Sequence, residues 1–282
     1  MADEYALVLG GGGVAGLAWM IGLLAGLAEA GDDVSWADLI IGTSAGANVA
    51  ALLGSGLPLR ELYARQADPA RQSAEIMAEL DIAKFAAELG GYLAGASTPD
   101  ERLRRIGAYA LAAQTVPESV RRRVIEGRLP AHDWPARRIR LTAVDAASGE
   151  LRVFDAASGA SLIDAVAASS AVPGIWPPVT IGDSRYVDGG VRSADNADLA
   201  AGFGTVTVIS PVGFDSLIPS SRPLREVVAK LHADGSAVTV IVPDAASAAI
   251  IHGNPLDPAT KTPAAKAGLA QGQAGLAANA AS

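Results

Sequence analysis

Short apolar segments alternate with longer ones over the first 55 residues, and glycines separate them. Tyr5–Leu9 is a continuous apolar run that predicts a buried strand. After a loop of glycines, Val14–Ala30 predicts a helix that ends at the next glycine. The succession returns with a strand at Leu39–Ile41, stopped by a glycine, and a helix at Ala45–Leu53. This pattern indicates an α/β fold with a mainly parallel central sheet flanked by helices.

The segment from Arg60 to Arg140 has a different pattern. It holds most of the basic residues of the chain and has no convincing strand before Ile139. We therefore expect a helical insertion over residues 60–137 that caps the sheet within a single domain spanning residues 1–282. The run from Arg121 to Arg123 is most simply a solvated helix face. The expected helices are Glu61–Arg65, Ala74–Leu89, Asp100–Gln114 and Pro117–Glu126.

Strand patterns return after this insertion. They predict two hairpins and two strongly apolar strands, with one helix between the hairpins and another between the apolar strands. The tail, Pro263–Ser282, is rich in Ala, Gly and Gln, which fits either a packed final helix or a frayed end. The expected strands are Arg138–Val144, Leu151–Phe154, Val179–Ile181, Arg185–Val187, Thr205–Ser210 and Ala237–Val242, and the expected helices are Leu162–Ser169 and Arg222–His232.

Composition excludes several classes of protein. The chain has 282 residues, half of them hydrophobic, which is enough for one large domain with its own core. It has no cysteine, so disulfides, zinc–thiolate sites, iron–sulfur clusters and a thiol nucleophile are excluded. Three histidines and no acidic cluster with ligand spacing lead us to expect no metal. The net charge of −8 argues against a nucleic-acid partner.

The longest apolar run, Val14–Ala28, does not predict a membrane span. It is 15 residues long and three glycines interrupt it. Acidic residues precede it, whereas a signal peptide begins with basic residues. We therefore expect a cytoplasmic location.

One serine lies in a motif that can carry chemistry. Gly42–Gly46 has the sequence G-T-S-A-G, which matches the G-x-S-x-G nucleophile elbow and lies between a predicted strand and a predicted helix. That context puts Ser44 on a tight turn at the edge of the sheet. The simpler interpretation is that Ser44 only caps the following helix.

The loop Gly10–Gly16 has the sequence G-G-G-G-V-A-G and also joins a predicted strand to a predicted helix. Such a loop binds negative charge, because its amides converge at a helix N-terminus. Two functions compete for it. Gly11, Gly13 and Gly16 fit the dinucleotide motif G-x-G-x-x-G.

Alternatively, the amides of Gly11, Gly12 and Gly13, with that of Ala45 after the serine, form an oxyanion hole for acyl transfer. A dinucleotide site needs an acidic residue at the end of the second strand. Ser44 stands there instead, which favours acyl transfer.

A serine nucleophile needs a base. Asp188 lies at a predicted strand end and two glycines follow it, although the same pattern fits an ordinary hairpin turn. His252 would complete the order Ser44, Asp188, histidine. His132, His232 and His252 all have the sequence context of surface or helix-end residues.

Taken together, the glycine loop, Gly42–Gly46 and the D-G-G at Asp188 resemble the patatin-like phospholipase family. Ser169–Pro173 resembles the segment that precedes D-G-G in that family, and the resemblance runs from about Tyr5 to Ser210. It implies a three-layer α/β fold and hydrolysis of acyl lipids without a cofactor.

In residue terms, the resemblance implies a Ser44–Asp188 dyad that works through an acyl-enzyme, with Gly11, Gly12 and Gly13 as oxyanion-hole amides. One position departs from the family, which usually carries Arg or Lys where this chain has Ala15. We therefore expect a positive charge to be missing near the oxyanion hole, which leaves the substrate range open.

The expected partner is an acyl lipid or another ester. Transient contact with a membrane surface through the arginine-rich insertion is a further expectation. A weakly active transacylase or scaffold of the same fold, and a dinucleotide-binding protein, are the alternatives.

Overall fold

The computed structural model of the chain describes residues 4–78, 82–214 and 220–281, with the backbone alone for residues 82–86. An eight-stranded sheet lies at its centre. The strands are β1 (Tyr5–Leu9), β2 (Leu39–Thr43), β3 (Ile139–Asp145), β4 (Leu151–Phe154), β5 (Val179–Ile181), β6 (Ser184–Asp188), β7 (Thr205–Ile209) and β8 (Ala237–Ile241).

Helices and short 3₁₀ turns connect these strands. The sequence predicted a helical insertion over residues 60–137. The described part of this stretch contains four helices, which come after the helix that follows β2 and before β3. The helices are α1 (Gly13–Glu29), α2 (Ala45–Gly54), α3 (Leu59–Ala67), α4 (Ile82–Leu93), α5 (Pro99–Ala112), α6 (Glu118–Arg128), α7 (Leu162–Ser169), α8 (Leu224–Ala233), α9 (Ala245–Ile251), α10 (Lys261–Gly272) and α11 (Leu276–Asn279).

The sheet is mainly parallel, as predicted. Hydrogen bonding runs in the order β5-β6-β3-β2-β1-β7-β8, and β4 pairs with β3. The five strands β1, β2, β3, β7 and β8 are parallel to their neighbours in that group. The two predicted hairpins form the antiparallel pairs β3–β4 and β5–β6.

Alternate residues of β1 supply the two sides of the core. Leu7 and Leu9 pack into one apolar cluster with α1, α2, α7 and α10, whereas Ala6 and Val8 pack into another with α8. Side chains alternate across a strand, so a strand that is apolar throughout must be covered on both faces. The fold therefore has three layers, helices on each face of the sheet, as predicted.

The C-terminal tail forms a packed helix, which decides between the two alternatives for Pro263–Ser282. α10 packs along α1, and the two backbones approach closely. A Cβ at Gly22 would collide with the carbonyl of Ala265, and one at Gly268 would collide with the backbone of α1. The indole of Trp19 also donates to Gln271 Oε1 at 3.0 Å. Because α1 is apolar on all sides, it needs this cover opposite the sheet.

Several predicted elements end one or two residues away from the observed ends, and two differences bear on the site. β2 does not stop at Gly42 but continues through Thr43, because Gly42 is paired with strands on both of its sides. The predicted helix Ala74–Leu89 is wrong at its start, since residues 72–78 are not helical. Residues 79–81 of that prediction lie outside the described residues, and the helix begins at Ile82. Across the described parts of the chain, no helix is both long and apolar enough to span a bilayer.

Candidate active site

Ser44 lies on the tight turn between β2 and α2, as the elbow motif predicts. Its backbone has φ 54° and ψ −113°, a strained conformation for a residue with a side chain. Gly46 allows the turn to pack against β1, since a Cβ there would collide with the backbone of Leu9. The Gly46 N–H donates to the carbonyl of Gly10 at 3.0 Å, which joins the elbow to the glycine loop.

Three polar side chains around α2 and α7 hold this strained turn. The Ser44 N–H donates to Ser169 Oγ at 3.0 Å. The Ser44 carbonyl accepts from Asn48 Nδ2 at 3.0 Å and from Ser170 Oγ at 3.3 Å. Strain of this kind persists only where the surroundings fix it. Sequence reasoning noted Ser169 and Ser170 only as part of a familiar segment and missed Asn48.

Asp188 is the last residue of β6 and is 4% exposed. Its Oδ1 accepts from the Gly190 N–H at 2.7 Å. Burial raises the pKa of Asp188 to about 6, and the Ser44 side chain and the Gly190 N–H oppose this shift by favouring the ionised form. The structure thus brings together the two residues that the sequence singled out, and the carboxyl is a stronger base than an ordinary aspartate.

Asn196 holds the strands that carry both residues, and sequence reasoning missed it. Its backbone is left-handed, with φ 49°, which asparagine tolerates better than most residues. Its side-chain amide lies within hydrogen-bond distance of Thr43 Oγ1 (3.1 Å), Thr142 Oγ1 (3.2 Å) and the carbonyl of Gly189 (3.2 Å). One buried amide therefore connects the ends of β2 and β6 through β3.

The glycine loop presents free amides beside Ser44. In the described part of the chain, the N–H groups of Gly12, Gly13 and Ala45 donate to no protein atom. The Gly11 N–H, in contrast, donates to the carbonyl of Ala194 at 2.8 Å. Gly12 and Gly13 begin the 17-residue helix α1, whose N-terminus favours negative charge.

None of the three histidines forms part of this arrangement. His252 is exposed and its Nε2 lies 3.3 Å from the carbonyl of Pro211. His132 contacts backbone carbonyls at the end of α6, and His232 lies in the last turn of α8. The structure shows no hydrogen bond between any of them and Ser44 or Asp188 in the described residues.

A cavity of about 50 Å³ opens at Ser44. Ala15, where the sequence predicted a missing charge, is fully buried and does not line it. Charge reaches the cavity from α6 instead, and this makes the prediction of a wholly solvated Arg121–Arg123 face wrong for Arg121. The residues around the cavity are Gly13, Val14, Leu17, Ser44, Ala45, Asn48, Glu75, Ile76, Arg121, Arg128, Ser170, Val172, Trp176 and Leu256.

Comparison with known protein families identifies one that matches most of the chain. A family profile described as "Patatin-like phospholipase" matches residues 7–201, which include Ser44, Asp188 and Asn196. A search of curated protein sequences gives no match.

Two solved structures resemble the chain distantly. VipD from Legionella pneumophila has a TM-score of 0.46 and 12% sequence identity, over 98% of this chain and 67% of VipD. The type III effector protein ExoU has a TM-score of 0.40 and 15% identity, over 98% of this chain and 53% of ExoU. The chain thus spans about two thirds of the first and half of the second.

Proposed function

The chain belongs to the patatin-like phospholipase family, and on that premise we propose that Ser44 and Asp188 form a catalytic dyad for hydrolysis of lipid acyl esters. The family is one of lipid ester hydrolases, of phospholipase, lysophospholipase or carboxylesterase type. One observation carries the proposal of a dyad: the buried carboxylate of Asp188, at the end of β6, lies beside the end of β2, which Ser44 directly follows. The family match also favours acyl transfer over dinucleotide binding as the role of the glycine loop.

In the first half of the reaction, Ser44 Oγ attacks the ester carbonyl and its proton passes to Asp188. The pKa of about 6 suits this role. The carboxyl is largely ionised at neutral pH, yet it holds a proton more readily than an ordinary aspartate. The tetrahedral intermediate then collapses, and the leaving alcohol takes the proton from Asp188 as the acyl-enzyme forms.

The amides of Gly12, Gly13 and Ala45 are proposed to stabilise the oxyanion of the tetrahedral intermediate. Each is free to donate, and each such donor contributes about 3 kcal/mol in the transition state. The Gly11 amide already has an acceptor, so its proposed part is to hold the loop against Ala194.

Water completes the reaction. It loses a proton to Asp188 and adds to the acyl carbonyl, and Ser44 Oγ then leaves and regains the proton. One carboxylate therefore serves as base and acid in both halves. Neither a metal nor a cofactor enters these steps.

We also propose that residues 60–137 form an insertion that shapes the substrate pocket. Glu75, Arg121 and Arg128 all come from this stretch and line the cavity at Ser44. α6 packs on α7, which carries the Ser169 support for the elbow. A cytoplasmic location, with transient contact between this insertion and a lipid surface, is part of the same proposal.

A fluorophosphonate probe tests the nucleophile. Wild type should be labelled and should hydrolyse p-nitrophenyl esters, and Ser44→Ala should do neither. Ser55→Ala, at the other end of α2, is the matched control and should behave like wild type. Equal labelling of wild type and Ser44→Ala would contradict the proposal.

A further inference from the structure

A group of buried charges lies beside the proposed nucleophile. Arg128 Nε and Nη2 donate to the two carboxylate oxygens of Glu75 at 2.8 and 2.5 Å, and Arg128 Nη1 donates to Asn48 Oδ1 at 3.1 Å. Lys261 Nζ lies 3.5 Å from the same carboxylate. Burial alone would raise the pKa of Glu75, but Arg128, Lys261 and Arg121 outweigh it and the pKa is lowered. Glu75 is therefore ionised, and it lies near two guanidinium groups, Arg128 and Arg121, and near Lys261, whose pKa is lowered by burial.

Arg121 is the neighbouring cation that makes no hydrogen bond to Glu75 in the described residues. It is 6% exposed, and its guanidinium lies over the ring of Trp176, with Cζ 3.9 Å from the ring centroid. Its Nη1 is buried and has no hydrogen-bond partner in the described residues. Burial lowers the pKa of Arg121 to about 9, helped by the nearby charge of Arg128, so the group stays charged at neutral pH.

A buried guanidinium without an acceptor is costly, because its donors lose hydrogen bonds to water. An anion in the cavity would lie against the guanidinium groups that line it and would offset their charge. Both Arg121 and Arg128 line the cavity that contains Ser44 and Ala45, so such an anion would be close to the reacting ester. A cavity of about 50 Å³ has room for roughly three to five water-sized groups, which suits a small head group.

We propose that Arg121, supported by Arg128, forms a subsite for a phosphate group of the substrate, so that the preferred esters are anionic phospholipids with a small head group. Two guanidinium groups and one carboxylate leave the cavity lining positively charged, and guanidinium groups suit the several oxygens of a phosphate. The inference rests on the proposed function, because it assigns the substrate class of the same site. Arg121 would also supply, from α6, a positive charge at the site of a chain that has Ala15 where the family usually carries Arg or Lys.

Two substrates that differ only in the phosphate test the subsite. One is a short-chain 1-acylglycerol 3-phosphate and the other is the 1-acylglycerol with the same acyl chain. Wild type should have at least a tenfold higher kcat/KM for the phosphate ester. Arg121→Gln should lose that preference, mainly through a higher KM for the phosphate ester.

Two further variants separate recognition from folding. Arg121→Lys keeps a charge and should restore part of the preference. Arg123→Gln, on the exposed side of α6, should leave kcat/KM unchanged for both substrates. If wild type shows no preference, or if Arg121→Gln keeps the full preference while remaining folded, the subsite is overturned. If neither ester is hydrolysed by wild type, the proposed function fails instead.

Competition distinguishes a head-group subsite from a site for free phosphate. Glycerol 3-phosphate should inhibit hydrolysis of the neutral ester by wild type, and more strongly than inorganic phosphate. Arg121→Gln should abolish that inhibition. Equal inhibition by the two anions would overturn the assignment to the substrate's head group.

Discussion

Ser44 and Asp188 meet because two strands end facing each other along one side of β3. β4 pairs with residues 141–144 on one side of β3, so β2 and β6 both lie on the other side. β2 ends with Thr43 opposite Thr142, and β6 runs the other way and ends with Asp188 opposite Ala143. The hydroxyl after one strand and the carboxyl that ends the other are therefore neighbours by register.

Asp188→Asn should abolish ester hydrolysis and leave the fold intact. The amide has the same shape but cannot accept the serine proton, and loss of a general base lowers the rate about 10²–10⁴-fold. Removing a buried charge should also leave the melting temperature at pH 8 unchanged or raised. The measurements are kcat with a p-nitrophenyl ester and thermal unfolding. Full activity in the folded variant would exclude Asp188 as the base.

The rate should fall in acid as Asp188 takes up a proton. With a pKa of about 6 in the free enzyme, kcat/KM should be nearly constant above pH 7 and roughly tenfold lower at pH 5 than at its maximum. The check is a profile of kcat/KM from pH 4.5 to 9 with a neutral ester, whose own charge does not change. A rate that is still undiminished at pH 5 would mean that another group is the base.

Asn196→Ala should weaken both stability and activity. The substitution keeps the hydrogen bond between the Thr43 and Thr142 hydroxyls. It removes the buried amide that connects these hydroxyls to the carbonyl of Gly189. Such a loss costs about 1–3 kcal/mol of unfolding free energy. Because Asn196 is a positioning residue, kcat should fall with little change in KM for a neutral ester. Urea unfolding and steady-state kinetics measure the two effects, and a change in KM alone would argue against positioning.

Gly46→Ala should disrupt the elbow. The added methyl would occupy the position of the Leu9 backbone, so β1 and α2 would have to separate. We expect a loss of at least about 2 kcal/mol and of most fluorophosphonate labelling at Ser44. Gly127→Ala in α6 is the control, since nothing lies within 4 Å of its Cβ position. It should be neutral or stabilising by up to about 1 kcal/mol. Similar losses in both variants would mean that close packing at Gly46 is not the cause.

Local pattern was enough to predict most of the fold and to single out the two residues of the proposed dyad. The apolar runs of β1 and β7 and the glycines around Ser44 and Asp188 are local features, and each has one structural explanation that fits its neighbours. The position of Asn196 could not be predicted this way. Its partners Thr43 and Thr142 are far away in sequence, and only the strand register brings them together.

The cavity charges depend on long-range packing in the same way. Arg121, Arg122 and Arg123 are consecutive, and sequence alone does not say which of them turns inward. Arg121 stacks on Trp176, Arg122 pairs with Asp164, and Arg123 is exposed. The predicted helix at Ala74 failed for a related reason. Glu75 lies in a non-helical segment that brings its carboxylate to Arg128. The periodicity of apolar residues does not predict this ion pair, because its two partners are far apart in sequence.

A second buried carboxyl gives a prediction about stability and pH. Asp195 is 2% exposed, its Oδ1 has no hydrogen-bond partner in the described residues, and it lies against Gly10 of the glycine loop. Burial raises its pKa to about 7, and the Ser210 side chain opposes this shift. An unfolded aspartate has a pKa near 3.9, so between about pH 4 and 7 the folded chain holds a proton that the unfolded chain has lost.

The native state therefore binds more protons in that window, and the unfolding free energy must fall as the pH rises from 4 to 7. Asp188 adds to the same trend because its pKa is also raised. Asp195→Asn removes one ionisation and keeps the shape. It should be about as stable as wild type at pH 4 and more stable at pH 8, by on the order of 4 kcal/mol.

Urea unfolding at pH 4, 6 and 8 measures this difference. Asp183→Asn, in the exposed turn between β5 and β6, is the control and should follow wild type at each pH. Because the Asp195 carboxyl touches the loop that carries the proposed oxyanion amides, kcat of Asp195→Asn should be measured in parallel. A difference between variant and wild type that is the same at pH 4 and 8 would show that Asp195 is ionised in the native state throughout. The buried carboxylate would then need a hydrogen-bond donor or a cation that compensates its charge.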